Sequence, residues 1–208
     1  MSSNTAAKTP ANTTTKTRMM VQIAMLTAVA EVLMLFDFPL PFAPSFYKID
    51  LSEVPILIGC FAMGPAAGII IEAMKILLNF IISGTVTAGV GELANFAIGC
   101  SMVLPAGLIY RYHKTRKNAV LGMVAGTLVM ASIGGLLNAF VLLPAYAALF
   151  GGMDAIIGMG TAVNKNITSV QSFVLLSVVP FNLVKGVIVS LVTFLLYKHV
   201  SRVLIHNA

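Results

Sequence analysis

The chain has 208 residues, of which 58% are hydrophobic and 10% charged, with a mean hydropathy of +0.95 and a formal charge of +6. That exceeds the apolar content of ordinary soluble domains, so the solvent for which it is built is the bilayer. Crossing a hydrocarbon core about 30 Å thick takes roughly 20 helical residues, which leaves room for about six crossings and none for a separate soluble domain.

Residues 1–18, "MSSNTAAKTPANTTTKTR", are rich in Ser, Thr, Asn and Lys and bury too little apolar surface to order themselves; they read as a disordered, basic cytoplasmic tail. Apolar runs follow at 19–36, 52–63, 65–83, 91–110, 119–149 and 171–197. They predict an all-α integral membrane protein, a six-transmembrane-helix bundle occupying residues 19–203. The first run starts at Met19 and continues for a full span with no small-residue cleavage site, so it reads as a membrane helix and not as a removable signal. Within it Ala24 and Ala28, four residues apart, form a small-residue stripe that admits another helix closely, from inside the bundle or from a partner.

In "AMGPAAG", Ala62 to Gly68, Pro65 follows Gly64 and predicts a turn between the second and third runs; a mere kink would reduce the count to five. Charge favours six. Lys8, Lys16 and Arg18 precede the first span, Arg111, Lys114, Arg116 and Lys117 fill "RYHKTRKN", and Lys198 and Arg202 follow the last span. Positive residues collect in short cytoplasmic connections. Placing all three clusters inside requires even numbers of spans between them, hence six crossings with both termini cytoplasmic. These cations flank apolar spans and form no single basic face, which argues for an anionic lipid bilayer and against nucleic acid as the partner.

The outer segments are then 37–53, 83–92 and 151–171. The first combines Pro39, Pro41 and Pro44 with Phe38, Phe42, Phe46 and Tyr47, a stiff aromatic loop that either lines a pocket or sits as an aromatic belt at the membrane surface.

Polar groups inside the spans carry the rest of the information. An ionisable group at a helix centre costs about 2.5 to 3.5 kcal/mol even on lenient insertion scales, so it faces a cavity or a partner. Lys185 is such a group, and Asn182, three residues earlier, shares its helical face. Asn138 and Asn95 are further amides within apolar runs. Amides with an ammonium suit a polar, mostly neutral solute bearing hydroxyls or imides. The alternative is that the amides bond across helices and that Lys185 pairs with a carboxylate of another helix, Glu31 being the first competitor. Glu72 and Lys75, three apart, are placed to neutralise one another.

No G-x-x-x-x-G-K-[ST] loop occurs, and Cys60 and Cys100 make no zinc-ligand spacing with His113, His199 or His206. The chain therefore reads as no enzyme, with no metal and no cofactor of its own. An ion-coupled secondary carrier using Glu31, Glu72, Lys75 and Lys185 is the competing class, but the internal repeat with interrupted helices expected of one is absent from the sequence.

The successive stretches "FPLPFAPSFYKIDLSEVP", "GPAAGIIIEAMKILLNFIISG", "GVGELANFAIG", "LLNAFVLLPAY" and "PFNLVKG" closely resemble the riboflavin-specific substrate-binding S component of bacterial energy-coupling factor (ECF) transporters. The resemblance runs in order from Met19 to Leu196. It implies a six-helix bundle in the bacterial cytoplasmic membrane that captures riboflavin from outside, as transported ligand, and works with a membrane coupling subunit (T component) and two cytoplasmic ABC-type ATPases. Carried over by motif, the substrate-binding residues are Asn138, Asn182 and Lys185, with Tyr47, Lys48 and Asp50 helping to close the first loop and Glu92 and Asn95 near the mouth. The same resemblance assigns Ala24 and Ala28 to the coupling-subunit contact.

Overall fold

The computed structural model describes residues 11–85 and 87–205, with the side chains of 11–15 and 198–205 excepted. Helix α1 (Ala11–Leu35) opens eight residues before Met19, so residues 11–18 continue the first helix; residues 1–10 of the expected tail lie outside the described residues. After α1 the proline-rich segment folds back on itself. β1 (Phe38–Pro39) pairs antiparallel with β2 (Lys48–Ile49), Phe38 opposite Ile49 and Pro39 opposite Lys48. Two turns close the excursion, with the Ala43 amide donating to the Leu40 carbonyl at 3.2 Å and the Tyr47 amide to the Pro44 carbonyl at 2.9 Å.

α2 (Glu53–Met63) and α3 (Pro65–Ser83) are separate helices. Gly64 between them has φ +104, a region that disfavours side chains, and Pro65 takes the first position of α3, where its missing N–H costs nothing. At eleven residues α2 is about 16 Å long, shorter than the hydrocarbon core. Residues 53–61 of it are buried, so it runs through the middle of the bundle. α4 (Val90–Tyr112) and α5 (Arg116–Leu137) follow, the second capped by Thr115, whose Oγ1 accepts the Asn118 amide at 3.2 Å. Gly122 and Gly126 let α5 lie against the α4 backbone: a Cβ at Gly122 would meet the Ala106 carbonyl oxygen at 2.7 Å, and one at Gly126 would meet that of Met102.

The fifth apolar run does not stay α-helical. It widens into a π turn at Asn138–Leu142, then resumes as α6 (Leu143–Leu149). α7 (Met153–Val163) and α8 (Val170–Phe173) lead to a second π turn at Val174–Val178, from which α9 (Val179–Ile205) continues. Each π turn ends two residues before a proline, Pro144 or Pro180. A proline ring clashes with the carbonyl four residues earlier and offers it no N–H; a locally widened turn accommodates both effects.

Among the described residues five helical runs, against the six expected, are long and apolar enough to cross a membrane: Lys16–Leu35, Pro65–Ser83, Val90–Tyr112, Arg116–Leu149 and Val170–Tyr197; α2 is the shorter one. Large apolar side chains such as Met25, Ile81, Leu93, Phe140 and Leu195 face outward, as lipid-facing surfaces do. The main core gathers Ile56, Leu57, Ile71, Met102, Met130 and Val189. A second, smaller core of Leu143, Ile156, Ile167 and Phe173 takes Phe46 and Tyr47 of the first loop against it. At the other end, Phe61 packs with Tyr110 and Tyr197, whose hydroxyls hydrogen-bond, and the Gly64–Pro65 junction shares a small cavity with Arg111 and Lys114.

Candidate substrate site

All eight residues assigned from sequence to substrate binding line one cavity of about 270 Å³ at the loop end of the bundle: Tyr47, Lys48, Asp50, Glu92, Asn95, Asn138, Asn182 and Lys185. They come from the first loop, the start of α4, the first π turn and α9, so only the tertiary fold joins them. A second cavity of about 420 Å³ adjoins it, sharing Phe46, Lys48, Asp50 and Asn95. Together they reach the range, about 300 to 1,000 Å³, of small-molecule sites. A larger groove along α5 and α9, about 470 Å³, is lined by Val124, Leu128, Val187 and Leu191 and holds no charged side chain. It lacks the convergent polar groups that orient a solute.

The two amides on facing helices are held alike. Asn138 Nδ2 donates to the Gly134 carbonyl at 2.8 Å and Asn182 Nδ2 to the Val178 carbonyl at 2.9 Å. Both bonds run back four residues along the same helix beside a π turn, and each fixes which amide atom looks inward. Asn138 Oδ1 accepts the Tyr47 hydroxyl at 2.5 Å, tying the loop to α5. Burial pushes the Tyr47 phenol above its ordinary range, so it stays a donor. Among the described residues, Asn182 Oδ1 and the Asn95 side chain take no hydrogen bond, while Glu92 Oε2 accepts Thr87 Oγ1 at 3.2 Å.

Lys185 is buried, with its nitrogen 3.1 Å from Asp50 Oδ2 and 3.1 Å from Glu53 Oε1. The competitor expected from sequence, Glu31, is not its partner. Glu31 accepts Asn79 Nδ2 at 3.2 Å instead, because α1 packs chiefly on α3 and α2. Lys185 thus does pair with a carboxylate of another helix, Glu53 of α2, as well as with Asp50 of the loop, and its residue still lines the cavity. Burial by itself would raise the Asp50 carboxyl. The Lys185 ammonium, then Lys75 and the bonds from Ser52, outweigh it and hold Asp50 at about 2.

Aromatic rings wall the cavity. Phe46 lies 4.7 Å from Tyr47 and edge-on to Tyr146 at 5.8 Å, and Tyr47 lies 5.3 Å from Phe181. The two readings of the aromatic loop therefore divide: Phe46 and Tyr47 turn toward the cavity and Phe42 packs beside Ile49 and Phe181, whereas Phe38 stays exposed. Lys48, at the rim, pairs with Asp37 through both carboxylate oxygens at 3.1 Å. Thr87, Tyr146 and Phe181 join the wall although nothing in the sequence marked them for it, and Glu53 stands behind it. Glu53 stands three residues after Asp50 in "KIDLSE", but Asp50 lies before α2 begins, so no helical spacing joined the two in the sequence.

Ala24 and Ala28 are exposed on the outer side of α1. Glu72 and Lys75 do pair, at 3.0 Å.

A half-open cavity of mixed polar and aromatic lining at one end of a membrane bundle has the chemistry of a solute-binding membrane protein. Comparison with known proteins specifies the kind. Residues 18–197 match the family of ECF transporter substrate-specific components, and the chain belongs to that family. It is 35% identical to the riboflavin transporter RibU of Staphylococcus aureus over 89% of this chain and 91% of that one. It is 33% identical to the riboflavin transporter FmnP of Bacillus subtilis over 88% of this chain and 91% of that one. A solved structure of the S component of a bacterial ECF transporter superposes with a TM-score of 0.72 at 35% identity, covering 91% of this chain and 99% of that one. The chain is thus a transport component, a multi-pass membrane protein and not an enzyme.

Proposed function

We propose that this chain captures riboflavin from the outer side of the membrane and presents it to an ATP-driven module. The observation that carries the reading is the cavity itself: Asn138, Asn182, Asn95 and Lys185 supply donors and acceptors for ring imide and ribityl hydroxyls, while Phe46, Tyr47, Tyr146 and Phe181 supply a flat apolar surround. Relatives named as riboflavin transporters support the choice of flavin. Six crossings with both termini inside are the topology we assign. α2 starts beside the cavity at Asp50 and Glu53 and ends at Gly64 near Arg111 and Lys114, so it passes from the outer to the basic end and counts as a crossing despite its length. No ATP-hydrolysing loop occurs in the chain, and family membership favours an ATP-driven system over an ion-coupled carrier. A T component and two ABC-type ATPases are the partners we assign, with Ala24 and Ala28 of α1 at the contact.

Purified protein titrated with riboflavin, followed by quenching of flavin fluorescence, tests the first step. Sub-micromolar binding is expected. Asn182→Ala and Lys185→Met each remove a hydrogen bond worth about 1 to 3 kcal/mol and weaken binding by about 5- to 150-fold. Affinity poorer than micromolar, or indifferent to both substitutions, refutes the assignment. Uptake into proteoliposomes holding this chain alone under an ion gradient would instead identify a secondary carrier.

A further inference from the structure

Behind the cavity wall lies a group the site does not touch. Lys75 of α3 is fully buried and does not line the cavity. Its nitrogen is 3.0 Å from Glu72 Oε1, 3.2 Å from Ser52 Oγ and 3.7 Å from Glu53 Oε1. Ser52 Oγ also donates to Glu53 Oε2 at 3.2 Å, and the Ser52 amide donates to Asp50 Oδ1 at 2.8 Å. Glu53 Oε1 and Asp50 Oδ2 in turn hold Lys185. The contacts therefore form one continuous buried chain from α3, through the base of the aromatic loop, to α9.

The arrangement has a consequence for Lys185. Two carboxylates against one ammonium, out of water, repel each other and over-bind the cation. A second cation beside Glu53 shares that carboxylate, so Glu53 supports Lys185 without monopolising it. Glu72, whose carboxyl abuts Gly99 of α4, holds Lys75 from its own helix on the other side. A fully buried ammonium needs acceptors for three N–H groups, and Lys75 finds two of them, Ser52 and Glu53, next to the cavity-lining Asp50. The reach of Lys75 to Ser52 and Glu53 ties it to the loop that lines the cavity.

We infer that Lys75 is a positioning residue of the substrate site: acting through Glu53 and Ser52, it sets Asp50 and Lys185 so that one N–H of the Lys185 ammonium faces the bound solute. The inference rests on the riboflavin reading for its ligand but not for its geometry. It also explains why α2 starts at Glu53, in the first turn of a helix where a carboxylate is favoured.

A double-mutant cycle on purified full-length protein tests it, with riboflavin as probe. Lys75→Met weakens binding by about tenfold or more in the wild-type background, and by less than about twofold when Glu53→Gln is already present. Equal losses in both backgrounds, or no loss in either, overturn the inference. If Lys75→Met yields no monodisperse helical protein, Ser52→Ala takes its place: it removes the hydroxyl between Lys75 and Glu53, and an unchanged affinity overturns the inference. Should the wild type fail to bind riboflavin, the ligand reading falls separately. The ligand-free crystal structure of Lys75→Met then decides: Lys185 leaving Asp50 for Glu53 supports the inference, and an unmoved Lys185 ends it.

Discussion

Asp50 is the side chain through which the loop and the membrane interior communicate. It lines the cavity, accepts the Ser52 amide and meets Lys185, all while buried. Its acidity is held at about 2, below the ordinary 3.8, so its contribution to stability is complete above about pH 4 and is lost as the pH falls through about 2. Asp50→Asn is expected to destabilise the detergent-solubilised protein by about 2 kcal/mol at neutral pH. The gap in Tm between the two proteins, followed by circular dichroism, stays constant from neutral down to about pH 4 and narrows below it. A gap that closes already near pH 6 would show that another group governs the contact. Motif spacing made Asn138, Asn182 and Lys185 visible in the sequence because polar groups stand out in apolar runs. The partners of Lys185 were not visible, since Asp50 is 135 residues away and no spacing rule spans that distance.

At the scale of elements, the site is built where two helices depart from regular geometry. Asn138 opens the first π turn, and Asn182 donates to the last residue of the second. Pro144 and Pro180 were legible as helix disturbers, but whether a proline ends, kinks or widens a helix depends on what packs around it. α5 and α9 approach closely at this level: a Cβ on Gly134 would meet the Asn182 amide nitrogen at 2.9 Å. Gly134→Ala therefore forces Asn182 from its place, at a cost of about 1 to 3 kcal/mol. The expected result is a folded protein with riboflavin affinity reduced by about tenfold or more, measured by the same quenching titration. Retained wild-type affinity would mean that Asn182 does not orient the ligand. Helix boundaries were mostly readable, the turn at Gly64–Pro65 among them. The exceptions are the start of α1 at Ala11 and the short helix α7 (Met153–Val163), which falls within a segment expected to be a connection.

For the whole molecule, the division of surfaces follows from the bilayer. Intramembrane polar groups turn inward around the cavity, above an apolar core, while the outer surface is also apolar, unlike that of a soluble protein. Ala24 and Ala28 lie on the exposed face of α1, away from the cavity. Replacing both by Leu is expected to leave riboflavin affinity within about twofold of wild type, since the sites are distant and share no partners. In cells that supply the T component and ATPases, the same protein is expected to lose riboflavin uptake and to co-purify poorly with the T component. Normal uptake by the variant would move the contact elsewhere.

Membrane residence, the charge asymmetry between the two ends and the identity of the inward amides were written in the chain, because hydropathy and charge act locally and additively along it; the count of crossings was not, since α2 is shorter than a span and five helical runs among the described residues are long enough. What only the folded protein decided is which charges share a space. Lys185 with Asp50 and Glu53, Lys75 with Glu53 and Glu72, and Tyr47 with Asn138 depend on the packing of α2, α3, α5 and α9. Electrostatics in a medium of low dielectric depends on distances of a few ångströms between groups remote in sequence, and such distances exist only once the bundle has closed.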